Sequence, residues 1–124
     1  MGRSVLVVDD DPSFRYWARA LLEASGYDVV DDASDGESGL AEAARLRPQV
    51  VLIDIQLPDM SGFEVARRLS ETEWRPAVVL ISGRGRYQYG DRVRNCGALG
   101  FIAKEHLSED AIVAVVRGRG ERRA

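Results

Sequence analysis

The chain is short of the residues on which much protein chemistry depends. Cys96 is the only cysteine, so no disulfide can form within it. A thiol set between Asn95 and Gly97 reads as a packing residue, not a nucleophile. His106 is the only histidine, and without a second imidazole or a thiolate cluster no zinc site is expected. No apolar run approaches the roughly 20 residues of a membrane span, and no basic stretch followed by an apolar one opens the chain. The expectation is a soluble, cytoplasmic protein. Neither G-x-G-x-x-G nor G-x-x-x-x-G-K-[ST] occurs, which removes support for dinucleotide or ATP binding. The net charge of -3 gives no general drive toward nucleic acid or anionic lipid. No helix-turn-helix or base-reading motif is present. Lysine is nearly absent too: Lys104 is the only one, every other basic side chain being arginine. One retained lysine suggests a position that needs a compact ammonium on a flexible stem, the alternative being chance retention.

What is present is a set of short apolar runs that end in polar residues. With 124 residues, the chain fits one domain with a single apolar core. The central run is Val50-Val51-Leu52-Ile53, after Pro48, and it ends in Asp54. Branched apolar residues in a row read as a strand buried on both faces. Pro58 and Gly62 place an irregular loop after Asp54, so this carboxylate is not read as a helix cap.

Ser4-Val5-Leu6-Val7-Val8 is a second such run, ending in Asp9, Asp10 and Asp11. Pro12 follows, with Ser13 as N-cap or first-turn residue of a helix. Phe14, Trp17, Ala18, Leu21 and Leu22 recur at helical spacing, which lays one stripe on the sheet and shows Arg15, Arg19 and Glu23 to water. Gly26 stops this helix. Tyr27 to Asp31 reads as an edge strand. Asp35-Gly36 turns into a helix carrying Leu40, Ala43, Ala44 and Leu46, ended by Pro48. Phe63, Val65, Ala66 and Leu69 mark a third helix ending near Thr72. Ala77 to Ile81 is a fourth strand ending in Ser82, and Gly83 to Gly90 is a glycine-rich loop. Asp91 to Cys96 is at most a short helix, closed by Gly97. Leu99 to Ala103 is a fifth strand that stops at Lys104. Ser108, Glu109 and Asp110 open a last helix whose apolar face is Ile112, Val113, Val115 and Val116. Residues 1–117 form the domain, and residues 118–124 read as a frayed, basic tail. Strand and helix alternate five times with short connections, which predicts an α/β fold with a parallel sheet and helices on both faces.

In a parallel sheet the carboxyl ends of the strands share one edge. Asp9 to Asp11, Asp54, Ser82 and Lys104 would then meet in one shallow pocket. Two carboxylates about 4 Å apart repel by roughly 4 kcal/mol at an effective dielectric of 20, so such a cluster holds protons or a cation. Oxygen-only ligands select a hard ion, and a shallow cluster suits magnesium. Three aspartates after the first strand would repel the phosphate of a flavin. A carboxylate beside a magnesium ion, with a hydroxyl and an ammonium in reach, is what phosphoryl transfer to aspartate requires.

The segments Val7-Val8-Asp9-Asp10-Asp11-Pro12, Asp54-Ile55-Gln56-Leu57-Pro58-Asp59-Met60-Ser61-Gly62, Ser82 and Gly100-Phe101-Ile102-Ala103-Lys104 together resemble the receiver domain of two-component response regulators. The likeness covers essentially the whole chain, with the motifs in order and at compatible spacing. It implies a flavodoxin-like (βα)5 doubly wound fold with strand order 2-1-3-4-5. It implies that Asp54 accepts a phosphoryl group from a sensor histidine kinase or phosphotransfer domain, without the chain being a turnover enzyme. Asp10 would ligate Mg2+ (or Mn2+) directly and Asp9 through water, with Asp54 and the backbone carbonyl of Gln56 as the other protein ligands. Asp11 lies outside that set. Ser82 and Lys104 would contact the phosphoryl oxygens. Ser82 and Phe101 would act as switch residues, remodelling a face made of the fourth helix, fifth strand and fifth helix, through which a homodimer could form.

Three departures stand out. Glu105 follows Lys104 where many receivers have proline, so the usual cis peptide is not expected. Phe101 carries no hydroxyl where tyrosine is often found. The loop after Ser82 is rich in glycine and arginine. Gln56 and Arg84 stand two residues beyond Asp54 and Ser82 and are candidates for setting the lifetime of an aspartyl phosphate. Two other readings stay open: a receiver-like binding module that works without phosphorylation, and an aspartyl-phosphate phosphohydrolase. The latter class commonly places an acid where Gln56 stands. The Lys104 to Glu109 segment is more like the receivers of some DNA-binding regulators, which suggests an effector domain after the tail.

Overall fold

The apolar runs become strands because branched side chains pack well on a pleated surface that is covered on both sides. The computed structural model describes residues 3–83 and 91–123, with the backbone alone at residues 94 and 118–123. Strand β1 (Ser4–Val8) is followed by helix α1 (Pro12–Ala24), β2 (Asp28–Ala33), α2 (Gly36–Leu46) and β3 (Val50–Asp54). Then come α3 (Gly62–Ser70), β4 (Ala77–Ser82), α4 (Arg92–Asn95), β5 (Gly100–Ala103), a 3-10 turn (Lys104–His106) and α5 (Glu109–Arg123). The sheet is parallel throughout, in the order β2-β1-β3-β4-β5. This is the doubly wound arrangement that the sequence predicts, with its crevice on the carboxyl side of β1 and β3, where the strand order reverses.

Alternate strand residues face opposite layers. Leu6, Val8, Val51, Ile53, Val78 and Leu80 pack with Ala43, Phe63, Val65, Ala66, Leu69, Val93 and Cys96 on one face. Val5, Val7, Val50, Leu52, Val79 and Ile81 pack with Ala18, Leu22, Ile112 and Val116 on the other. β1, β3 and β4 are buried almost throughout. That two-sided burial fixes the register, since a one-residue slip would exchange the two faces. Cys96 is a free, buried thiol, as its flanks suggest.

The structure departs from the sequence reading in four places. β2 starts at Asp28 and runs on to Ala33, because the pairing with β1 skips a residue between Val29 and Asp31. Such a bulge carries the strand further than its short apolar centre suggests. Asp11, read only as one of the acids ending β1, is the N-cap of α1, its side chain accepting from Ser13 N; Ser13 takes the first-turn position, one of the two read for it. Pro12 fits there because the first helical position needs no N–H donor. Along α1, Trp17 is 46% exposed instead of lying in the core stripe. Arg15 and Arg19 are not simply solvated: both are half-buried and pair with Asp32 of β2. Finally, α5 continues through residues 118–123, the stretch read as a frayed tail. Extending a helix already docked at Ile112 and Val116 costs far less than nucleating one, so the two glycines do not stop it.

Gly97 has φ +89°, which ends the short α4 and turns the chain into β5. No cis peptide occurs among the described residues, so the Lys104–Glu105 bond is trans. Of the loop after Ser82, residues 84–90, including Arg84, lie outside the described residues.

Candidate functional site

Three strand ends deliver charged groups to the crevice. Asp9, directly after β1, is fully buried. Its backbone N–H donates to the Ala33 carbonyl (3.0 Å), and its carboxylate Oδ1 accepts from Asp11 N (2.8 Å). Arg15 Nη1 donates to the Asp9 carbonyl (2.6 Å). The last residue of β3, Asp54, is also buried, and its Oδ1 accepts from Gln56 N (3.1 Å). Lys104 opens the 3-10 turn after β5 and reaches back across the edge. Its Nζ lies 2.8 Å from Asp9 Oδ2 and 3.2 Å from Asp54 Oδ2. The same ammonium sits 4.4 Å from the centre of the Phe14 ring. Asp10 is exposed, yet one carboxylate oxygen from each of Asp9, Asp10 and Asp54 falls within 4.8 Å of the others.

The electrostatics of this cluster do not balance. Three carboxylates face one ammonium, which leaves two negative charges. Asp54 is held above the usual carboxylate range by burial first and by the Asp9 charge, against the pull of the Gln56 N–H and the Lys104 ammonium. Lys104 is moved upward overall: burial disfavours its charge, but Asp9 and Asp54 together outweigh that. Asp9 Oδ2 is buried, and the ammonium beside it is not aligned as a hydrogen-bond donor. A buried oxygen left in that state is costly. An excess of two negative charges, an under-satisfied buried oxygen and donors that are all oxygen fit a hard divalent cation.

Ser82 is buried at the end of β4, paired in register with Ala103, one residue before Lys104. Topology therefore brings it to the same edge. Phe101, opposite Leu80, is partly buried against the core layer that holds Phe63 and Val93. The Gln56 side chain is exposed, on the wall of a cleft of about 420 Å³ lined also by Leu57, Met60, Ser61, Phe63 and Arg92. The carboxylates of the cluster do not line that cleft.

The structure adds four residues that the sequence left without a role at this site. Phe14 and Arg15 come from the first turn of α1, and a helix starting directly after the acids has to place its first turn over the same crevice. Asp59 reaches to the start of α2, its two carboxylate oxygens accepting from Gly36 N (2.8 Å) and Glu37 N (2.9 Å). Those bonds hold it below the usual carboxylate range. Gly62 brings the start of α3 against β3, its N–H donating to the Ile55 carbonyl (2.7 Å). A Cβ at Gly62 would overlap the Asp54 carbonyl oxygen and lie 2.8 Å from Ile55 Cα. Glycine is therefore required by the approach of two backbones. Together Asp59 and Gly62 fix the loop 55–61 that follows Asp54.

Residues 5–117 match the family model of the response regulator receiver domain. The chain is 35% identical over 121 residues to BvgA of Bordetella pertussis, a protein named for positive transcription regulation of virulence factors. That match covers 95% of this chain and 58% of BvgA. A protein-glutamate methylesterase/protein-glutamine glutaminase of Anaeromyxobacter dehalogenans is 45% identical over 101 residues, covering 81% of this chain and 29% of that protein. The chain thus spans less than two thirds of these relatives. Among solved structures, the signal receiver domain of NarL from Mycobacterium tuberculosis superposes with a TM-score of 0.85 at 31% identity, covering 97% of each chain.

Proposed function

Because the chain belongs to the response regulator receiver domain family, we propose that it is a phosphorylation-dependent signalling switch whose phosphoacceptor is Asp54. The single observation that carries this reading is the placement of the Asp54 carboxylate. It is buried, it has an ammonium 3.2 Å away, and it shares a 4.8 Å neighbourhood with Asp9 and Asp10.

Asp9, Asp10 and Asp54, with the Gln56 backbone carbonyl, would hold Mg2+. When bound, that ion supplies positive charge against the phosphoryl oxygens. The rest is done by the chain. Gln56 N fixes one oxygen of Asp54, leaving the carboxylate oriented for in-line attack on phosphorus as the donor's bond to the phosphoryl group breaks. Lys104 neutralises charge that develops on the transferred group, and the Ser82 hydroxyl donates to it. The donor is a sensor histidine kinase or a phosphotransfer domain. Ser82 and Phe101 transmit the state of Asp54 to the face made by α4, β5 and α5, which also serves for homodimerisation. This is a population shift, limited by how much better the phosphorylated site fits one state than the other. Gln56, with Arg84, sets the lifetime of the aspartyl phosphate by admitting or displacing the attacking water.

The test is incubation with Mg2+ and acetyl phosphate, followed by intact mass. The expected result is the gain of one phosphoryl group, lost in Asp54→Asn. No mass gain would favour a module that works by contacts alone, and sustained phosphate release would favour a phosphohydrolase.

A further inference from the structure

The contact between Lys104 and Phe14 is not accounted for by any of the roles above. The ammonium lies 4.4 Å from the ring centre, well inside the range at which a cation is attracted to the face of an aromatic ring. Phe14 is itself backed by Trp17, one turn further along α1, with ring centres 5.9 Å apart and planes tilted by 45°. Tilted pairs at such a separation are a favourable aromatic geometry. Trp17 is thereby held half out of the core, which explains why it leaves the helix stripe.

The anchorage of Lys104 gives this contact its weight. The residue opens a three-residue 3-10 turn, its carbonyl accepting from Leu107 N at 3.2 Å. Glu105 and His106 beside it are exposed. A flexible four-carbon stem on such a short turn has many rotamers to choose from. α1, in contrast, is fixed at this end by the Asp11 cap and by Pro12, and Arg15 ties it to the Asp9 carbonyl. The ring therefore comes from a fixed helix start, whereas the ammonium stands at the end of a flexible stem.

We propose that Phe14 is a positioning residue: its ring, supported by Trp17, holds the Lys104 ammonium over the crevice in the orientation that faces Asp9 and Asp54. The ring covers one side of the ammonium and leaves its open side to the two carboxylates, 2.8 Å and 3.2 Å away. The kinetic part of this inference rests on the phosphoacceptor reading; the geometric part does not. Because the chain has one lysine, labelling with ¹³C-lysine gives a single side-chain spin system, and its ε-methylene signal reports the ring directly.

The test uses the full chain and the variants Phe14→Leu, Phe14→Tyr and Trp17→Ala, each with and without Mg2+. In the parent protein the Lys104 ε-methylene protons should be shifted upfield by the ring and show cross-peaks to it. Phe14→Leu, which keeps apolar volume, should abolish both signatures; Phe14→Tyr should keep them. The rate of phosphorylation by acetyl phosphate should fall about threefold to tenfold in Phe14→Leu, the scale of a cation–π contact. It should return with Phe14→Tyr, and Trp17→Ala should lose a smaller share. An unshifted ε-methylene signal in the parent protein overturns the inference. So does a Phe14→Leu rate equal to the parent's, or a Phe14→Tyr rate as low as that of Phe14→Leu. Failure of the parent protein to take up phosphate would overturn the phosphoacceptor reading instead, while the lysine signal would still decide the geometry.

Discussion

Two groups of ionised side chains on this molecule use similar residues to opposite ends. On the outer face of α3, Arg67 meets Glu64 at 2.6 Å and Glu71 at 3.0 Å, and Arg68 meets Glu64 at 2.7 Å. Two acids and two bases balance there, all in contact with water, and Glu64 stands in the first turn with both arginines in the last. That ordering suits the helix dipole. The crevice holds three acids against one base, with Asp9 and Asp54 buried. The α3 group satisfies itself and contributes little, since water and salt screen exposed pairs and holding two long side chains in place costs entropy. The crevice group cannot satisfy itself, and that deficit is what a cation and a phosphoryl group can use. The contrast shows that close ion pairs do not mark a functional site; imbalance under burial does.

The largest effect belongs to Asp54→Asn, which should abolish phosphoryl uptake in the mass measurement while leaving the fold intact. Lys104→Met should leave Asp9 and Asp54 without their cation and slow uptake by about a hundredfold, the scale of losing one preorganised charge donor. Stopped-flow with acetyl phosphate would read it. Gly62→Ala should lower stability by about 1 to 3 kcal/mol in urea unfolding, because the start of α3 would have to leave the Asp54 backbone. Normal uptake by a fully stable Gly62→Ala protein would contradict the role given to that approach.

A smaller effect separates the two groups by pH in the metal-free protein. Lys104 is raised in the fold above its ordinary 10.5. The stability it supplies is therefore complete below about pH 10.5 and is lost as pH rises through its folded value. Asp54, raised from 3.8, binds its proton more tightly when folded, so its share of stability declines as pH rises from 3.8 through the raised value. Unfolding curves of the parent protein and Lys104→Met should converge at alkaline pH. The smallest effect is on α3. The Glu64 carboxylate is held down to about 2 by hydrogen bonds from Arg67 and Arg68. Arg68→Ala should move its NMR titration upward while leaving the urea unfolding midpoint nearly unchanged.

Much of this was legible along the chain. Short apolar runs announced β1, β3, β4 and β5, of which the first three are buried on both faces, and the acids, the hydroxyl and the lone lysine at their ends announced the crevice. β2 was read short because its extension depends on a bulge against β1 and not on its own side chains. The helical reach of residues 118–123 was missed because local composition says nothing of the docked turns before them. Phe14 does pack against the core layer as its spacing predicts, but Trp17 was read into the same stripe and is exposed, since period alone cannot tell a residue facing the sheet from one overhanging its edge. Asp59 and Gly62 were read only as part of the loop after Asp54, and nothing local showed what they hold, for their partners are the N-terminus of α2 and the backbone of Asp54.

The sequence by itself determined the alternation of strand and helix and which residue types would stand at the strand ends, because side-chain period and turn chemistry are local properties. Only the tertiary structure decided that the ammonium of Lys104 reaches both Asp9 and Asp54, that an aromatic ring from α1 meets it, and that the loop after Asp54 is held at both ends. Those are distances between segments far apart in the chain, and packing alone sets them.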